Sequence, residues 1–508
     1  MPTPTTLNLS EHLLGHRVRD GQGGRRALLT PDGTWTYAEV DALASRWAAV
    51  LRDRGMRPGE RVLLALPDGP DYVAALFGVL RGGGVVVMVN PELGTDELQW
   101  MFGYTEAPWA VVDRSVAGAF REALAGVDEG PTLLVAGDAD TTAALDAADP
   151  DAVVPHPAAP DDPALWLFSG GTTGRPKGVV QTHRSFVNTT ECYGHGILEM
   201  VPDDVTLSVP KLYFGYATGS NLFFPFSVGA TVSLFPERCT PEALFDRIEA
   251  FRPTVLINVP TMINKLLAHP GAAERDLSSL RVCTSAGEAL PEALHQRWRD
   301  AFGVPLLDGL GTAEMWHIFI SNRLGDVKPG TLGKVVPGFT VRACDDDGNE
   351  VAPGEVGTMR VQGDSLGLGY WKHPDRTAAA FRDGWYVSSD MIRIDADGYV
   401  TYCGRADDMI KVSGKWFAPG ELENCLLEHE AVREVAVVAV TDDAGLVKPR
   451  AFVVPQEGVE PGPALAEALQ AWAKERLQPY KYPREVVFLA DFPRTHLGKV
   501  DRGALARS

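Results

Sequence analysis

The stretch from Arg61 to Val89 constrains the fold of this chain more than any other. Arg61–Leu66 reads as a strand, Pro70–Leu80 as a helix closed by Gly82-Gly83-Gly84, and Val85–Val89 as a buried strand. Strand, helix and strand within ~30 residues make a βαβ unit, and parallel strands of this kind need a sheet covered by helices. The alternation returns further along. Ala110–Val112 and Thr132–Val135 are predicted strands, while Asp138–Asp162, rich in Ala, Asp and Pro, is predicted to be a surface connection. Strands at Val205–Pro210, Thr231–Leu234, Val255–Asn258, Val282–Ser285 and Leu306–Asp308 alternate with helices at Pro241–Phe251, Pro260–Ala268 and Pro291–Phe302. The expected class is α/β, with ligand loops at strand ends. Ahead of this unit, Tyr37–Arg54 has apolar residues at helical spacing, and Met1–Gly24 is expected to be a loose lead-in with one short helix.

From about Gly333 the character turns to β. Thr340–Cys344, Gly357–Gln362, Val387–Asp395 and Tyr399–Tyr402 are separated by Asp-Gly turns. After Cys403-Gly404-Arg405 a small α+β unit begins, with helices at Pro419–Glu428 and Ala464–Leu477 and strands at Val435–Val440, Arg450–Val454 and Val486–Leu489. The expected organisation is a large N-terminal domain of residues 1–403 that includes the β-rich part, a hinge at 404–408, and a small mobile C-terminal domain of residues 409–508.

The 508 residues are 45% hydrophobic and 22% charged, the make-up of a globular protein with more than one domain. A formal net charge of −20 argues against non-specific nucleic-acid binding and against anionic membranes. Any phosphate-bearing ligand must therefore be held by local cations against the global field. Six scattered cysteines, without a C-x-x-C pair or a metal-spaced His cluster, read as reduced thiols of a cytosolic protein. Met1–Ser10 lacks a charged n-region and a long apolar core, and no apolar run reaches spanning length, so a cytoplasmic location is expected.

Four stretches carry chemistry. Ser169–Gly178, Ser-Gly-Gly-Thr-Thr-Gly-Arg-Pro-Lys-Gly, lies between the apolar runs Ala164–Phe168 and Val179-Val180. A loop of this make-up can turn backbone N–H groups and hydroxyls toward one point, and Arg175 and Lys177 add positive charge, which is the chemistry of a phosphate cradle. It is not a Walker loop, because no G-x-x-x-x-G-K-[ST] can be read from its glycines. The stretch Asp308-Gly309-Leu310-Gly311-Thr312-Ala313-Glu314 follows a predicted strand. Its glycines would let a flat ring lie against backbone, and its terminal carboxylate suits Mg²⁺, a hard cation. Asp390, after Val387-Ser388-Ser389, is a carboxylate able to accept from two neighbouring hydroxyls. In Lys211–Ala217, Tyr216 can form an aromatic wall, and His317 stands three residues after Glu314, close enough to line the same cavity.

In this order the motifs resemble the adenylate-forming superfamily of acyl-CoA synthetases, adenylation domains and luciferases, over roughly Ala27–Ala504. Lys211–Asn221 and Gly311–Asn322 are most similar to the benzoate-CoA ligase branch. The resemblance implies that Ser169, Gly170, Gly171, Thr172, Thr173 and Gly174 hold the ATP phosphates, with Lys177 adding charge. It implies nucleotide contacts from Gly287, Glu288, Asp308, Gly309, Thr312, Asp390 and Arg405, and a Mg²⁺ ligand in Glu314. The acid pocket it implies is lined by Gly215, Tyr216, Ala286, Gly309, Gly311 and His317. Lys499 matches a lysine that serves adenylation, Asp407 the hinge position, and Lys411, Ser413, Gly414 and Lys415 the segment that meets CoA after the small domain rotates.

Three departures from the family pattern stand out. Ala313 replaces a Thr whose hydroxyl reaches the α-phosphate, Ser388-Ser389 replace Thr-Gly before Asp390, and Gly215 replaces Ala. The last is expected to enlarge the pocket for a ring substituent. The activity implied is ATP-dependent, AMP-forming ligation of a benzoate-type acid, benzoate or an amino- or hydroxy-substituted relative such as anthranilate, to CoA. One alternative is an adenylation enzyme that loads an aryl acid onto an acyl carrier protein. Another is a catalytically silent acyl-adenylate-binding protein. By analogy alone a homodimer is expected.

Overall fold

The computed structural model describes residues 6–171, 174–406, 409–412, 415–441, 447–494 and 500–507. Thr172, Thr173, Asp407, Ser413, Gly414 and Lys499 lie outside the described residues.

The βαβ unit forms as the sequence predicts. Arg61–Ala65 pairs in parallel with Val85–Met88, and the helix Pro70–Arg81 connects them. Among the described residues these strands sit in a seven-stranded sheet that also takes in Trp109–Asp113, Thr132–Ala136, Pro163–Gly171, Gly174–Thr182 and Gly369–Tyr370. A nine-stranded sheet is built around the parallel strands Val205–Ser208, Val255–Asn258, Val282–Ser285 and Leu306–Gly311. One apolar core joins side chains of both sheets (Val62, Val86 and Leu165 with Val255, Ile257 and Leu307) through the helices Tyr37–Asp53 and Pro70–Arg81. The second helix is buried from Tyr72 to Arg81, as a helix that is apolar on all sides must be. The first helix begins with a capping box, in which Thr36 and Glu39 satisfy each other's backbone N–H groups.

The β-rich part is a five-stranded antiparallel sheet built from Thr340–Cys344, Val356–Gln362, Phe381–Arg382, Trp385–Ile394 and Val400–Arg405. The smaller C-terminal domain has the strands Val432–Thr441, Val447–Pro455 and Glu485–Phe488 against the helices Pro419–Leu427 and Pro463–Arg476. Among the described residues no helix is long and apolar enough to cross a membrane.

Two expectations about connections are corrected. Residues 138–162 are not only a surface connection: Ala139–Ala147 is a helix, and the Asp138 carboxylate caps it by accepting from Thr141 N at 2.7 Å. Asp138→Ala is expected to lower stability by ~1 kcal/mol in urea denaturation. Nor is the N-terminal lead-in loose. Leu9, Leu13 and Leu14 are buried in the core, and Asn8 Nδ2 donates to Leu80 O at 2.7 Å and to His156 O at 3.0 Å. The buried Arg81 ties this segment to the helices beneath it, donating to Ser10 Oγ at 3.2 Å and to Ser45 and Asp41.

Candidate active site

The glycine-rich stretch is not a separate loop between two apolar runs: it is strand as far as Gly171 and again from Gly174. It is the outer half of an antiparallel hairpin, Pro163–Gly171 and Gly174–Thr182, with Ser169 opposite Lys177 and Gly171 opposite Gly174. The ladder already uses backbone groups of both arms, so few N–H groups of the described stretch are free to converge on one point. Tyr104 braces its base. The phenol accepts from Gly178 N at 3.0 Å and donates to Trp371 O at 2.9 Å.

The hairpin leans over a cavity of about 390 Å³. Ser169, Gly170, Lys177, Glu314, Tyr370, Arg376, Tyr386, Asp390 and Arg405 are among the residues that line it. Strand pairing explains part of this convergence. Asp390 and Arg405 sit directly opposite each other in the antiparallel sheet. The Asp390 carboxylate accepts from Ser388 Oγ at 2.7 Å and from Tyr402 OH at 3.3 Å. Arg405 donates to Ser389 Oγ at 2.5 Å, and its buried Nε has no partner among the described residues. The two serines that depart from the family pattern thus hold Asp390 and Arg405 in place.

Glu314 is buried and accepts from Tyr370 OH at 2.7 Å. Its backbone oxygen accepts from Gln181 Nε2 at 3.2 Å and from Gly367 N at 2.9 Å. Lys177 Nζ lies 4.2 Å from the centre of the Tyr370 ring. Burial lowers the Lys177 pKa, and the nearby Glu314 opposes that shift. Among the described residues no group of three His, Cys, Asp or Glu side chains could enclose a metal ion. A single buried carboxylate lining the same cavity as Lys177 nevertheless fits Mg²⁺, which is commonly held by one or two carboxylates together with substrate phosphates and water.

The stretch Asp308–Glu314 does not follow its strand but continues it to Gly311 and pairs antiparallel with Ile318–Ser321. This gives its glycines a reason other than a flat ligand. A Cβ on Gly309 would stand 2.8 Å from Ile320 O, and one on Gly311 only 2.4 Å from His317 O. Thr312 caps the turn that follows by accepting from Met315 N at 3.3 Å. Its hydroxyl proton stays available where Ala313 offers none. Asp308 is buried at the end of its strand, and burial pushes its pKa well above the usual carboxylate range.

His317 does not share the cavity of Glu314. Trp316, at φ 63°, turns the chain between them, and His317 packs instead against Tyr216 and Phe224, with ring centres 5.5 and 4.8 Å away. Its Nε2 donates to Tyr216 O at 3.0 Å, and burial lowers its pKa to about 3, so the ring is neutral. A Cβ on Gly219 would stand 2.4 Å from the His317 ring, which fixes that edge. Tyr216 and Thr284 share a hydroxyl hydrogen bond of 2.6 Å, so this aromatic group borders the strand Val282–Ser285, which Ala286 follows. Gly215 does not enlarge the pocket as expected. Leu167 fills the space that a methyl would take, with its Cδ2 3.1 Å from the ideal Cβ.

Gly287, at φ 87°, makes the turn after Ala286. The Glu288 carboxylate accepts from Thr261 Oγ1 at 2.6 Å and is thereby tied to the start of the helix Pro260–Leu267. In the C-terminal domain Lys411 and Lys415 stand on two short paired strands, Ile410–Val412 and Lys415–Phe417. The sequence reading missed Tyr370, Tyr386 and Arg376. The signal for Tyr370 was the aromatic pair Tyr370-Trp371 after the glycine-punctuated run Gly363–Gly369.

The family profile described as AMP-binding enzyme matches residues 16–371, and that described as AMP-binding enzyme C-terminal domain matches residues 421–499. A benzoate–CoA ligase of Thauera aromatica is 41% identical over 503 residues, covering 98% of this chain and 95% of that one. The crystal structure of an anthranilate CoA ligase in complex with anthranoyl-AMP is similar with a TM-score of 0.93 at 33% identity, over 99% of this chain and 97% of that one. A benzoate CoA ligase from Burkholderia xenovorans LB400 gives 0.87 at 37% identity, over 98% and 99%.

Proposed function

Because the chain belongs to the AMP-binding enzyme family, we propose that it is an ATP-dependent, AMP-forming aryl-acid:CoA ligase acting on a benzoate-type acid. The observation that carries this reading is the convergence of the hairpin, Glu314, Asp390 and Arg405 on one cavity. The names of the relatives, benzoate–CoA and anthranilate–CoA ligases, support benzoate or an amino- or hydroxy-substituted benzoate as the acid.

In the first step a carboxylate oxygen of the acid attacks the α-phosphorus of ATP, and pyrophosphate leaves. Ser169, Gly170 and Lys177 hold the phosphates, Asp390 accepts from the ribose hydroxyls, and Arg405 lies beside them. Glu314 would hold Mg²⁺, which would supply positive charge against the phosphates. Lys499, by its match to the family's adenylation lysine, supplies the cation that offsets the charge built up as two anions react. In the second step the CoA thiol attacks the carbonyl carbon of the mixed anhydride and AMP leaves. The small domain turns about Asp407, within the hinge 404–408, and brings Lys411–Lys415 to the pocket.

No protein nucleophile is required. The cysteines fit that reading: burial raises the thiols of Cys239 and Cys403 to about 11, so neither is a ready thiolate.

Aryl-acid-dependent ATP–pyrophosphate exchange over benzoate, anthranilate and the hydroxybenzoates tests the proposal. Exchange with at least one of them is expected, and none with any would contradict it. Lys177→Ala is expected to slow exchange ~10-fold, as the loss of one charged contact to phosphate should. CoA attack on supplied aryl-AMP should survive, since pyrophosphate has already left; equal loss in both steps would refute the role given to Lys177.

A further inference from the structure

Glu314 and Lys177 come from distant parts of the chain, and one side chain touches both. Tyr370 OH donates to Glu314 Oε1 at 2.7 Å, and the face of the same ring carries Lys177 Nζ at 4.2 Å. The phenol occupies one oxygen of a buried carboxylate and so limits the directions in which that carboxylate can turn. A ring face under an ammonium holds it by the ring quadrupole, and more strongly when both are partly desolvated.

The backbone of Tyr370 is itself fixed. Its N–H donates to Thr377 Oγ1 at 2.9 Å, and the short strand Gly369–Tyr370 pairs with Val179 and Val180 on the second arm of the hairpin. The ring packs edge-on against Phe381, with centres 5.3 Å apart. Gln181, on the same arm, donates to Ala313 O at 2.7 Å and to Glu314 O. Hairpin, carboxylate and lysine are therefore joined at the floor of the cavity, with Tyr370 at the junction.

We propose that Tyr370 is a positioning residue of the adenylation site: its hydroxyl orients Glu314 toward the metal of MgATP, and its ring holds Lys177 beside the phosphates. This rests on the ligase reading above. The two halves of the side chain do separate jobs, and two variants separate them. Tyr370→Phe keeps the ring and removes the hydroxyl. Tyr370→Leu removes both.

The test is calorimetric binding of ATP to the full chain, with and without Mg²⁺, beside pyrophosphate exchange as a function of Mg²⁺. In Tyr370→Phe the affinity gained on adding Mg²⁺ is expected to fall about tenfold, the usual range for losing a partner of a metal ligand. ATP affinity without Mg²⁺ should stay unchanged, and excess Mg²⁺ should restore much of the exchange rate. In Tyr370→Leu the Mg²⁺-free affinity should fall as well. Glu314→Gln should make Tyr370→Phe silent toward Mg²⁺.

A Phe variant that binds MgATP like the parent would overturn the proposal, and so would one weakened equally with and without Mg²⁺. A Phe variant that fails to fold would also contradict it, because the hydroxyl would then serve the fold rather than the site. Failure of the ligase reading would show separately, as absence of exchange by the unaltered protein with every aryl acid.

Discussion

Lys499→Ala is expected to lower aryl-acid-dependent pyrophosphate exchange by ~100-fold or more, the range found when a group that stabilises developing charge is removed. Attack of CoA on supplied aryl-AMP should keep most of its rate. The argument begins with charge. The chain carries −20, yet its first step brings a carboxylate against a triphosphate. Lys177, Arg376 and Arg405 line the cavity, and Glu314 and Asp390 offset part of their charge. A further cation is needed where carboxylate and α-phosphate meet.

Lys499 comes from the small domain, in a segment whose flanks are fixed. Arg494 and Val500 form an antiparallel bridge, Asp501 N donates to Pro493 O at 2.8 Å, and Arg502 forks onto the Glu423 carboxylate at 2.5 and 2.9 Å. In the proposed cycle Lys499 serves the first half-reaction and leaves before the second. Rapid-quench measurement of the two half-reactions checks this. Parallel loss in both, or loss only in the second, would count against it.

Asp41→Ala should destabilise the large domain by ~3 kcal/mol, the low end for breaking a buried ion pair. Arg81 is the reason. Its side chain is 4% exposed, and it donates to the side chain and the backbone oxygen of Asp41. Removing the carboxylate leaves a guanidinium inside the core, with only Ser10, Ser45 and one carbonyl to satisfy it among the described residues. Asp41→Asn keeps an acceptor and should cost less than half as much. Urea denaturation followed by tryptophan fluorescence reads both variants. A change below ~1 kcal/mol for Asp41→Ala would mean that the pair behaves as a surface ion pair.

The βαβ unit was legible because its signal is local: two apolar runs, a proline-led helix and a glycine stop within one short stretch. The same holds for the helix at Tyr37, whose apolar residues recur at helical spacing. The helix Ala139–Ala147 was hidden by a composition of Ala, Asp and Thr with little amphipathic contrast; only Asp138 marks its start. The burial of residues 7–14 depends on Arg81 and Leu80, which lie some seventy residues away. Local pattern cannot report such a contact.

The site divides in the same way. Asp390 and Arg405 could be picked out because each sits in a recognisable motif, and strand pairing then places them opposite each other. The pair Tyr370-Trp371 marks a position but not its task, because Glu314 is 56 residues away and the hairpin lysine further still. Counting residues suggested that His317 lies beside Glu314. A positive φ at Trp316 sends the two side chains to different groups. Gly215 was read as space, but the space belongs to Leu167, a residue from the other sheet.

Incubation of the purified chain with ATP, Mg²⁺, a benzoate-type acid and free CoA tests the central claim most directly, with aryl-CoA and AMP quantified together. One aryl-CoA per AMP is the predicted result for at least one such acid. Formation of aryl-AMP without transfer to free CoA, or transfer only to an acyl carrier protein, would contradict it.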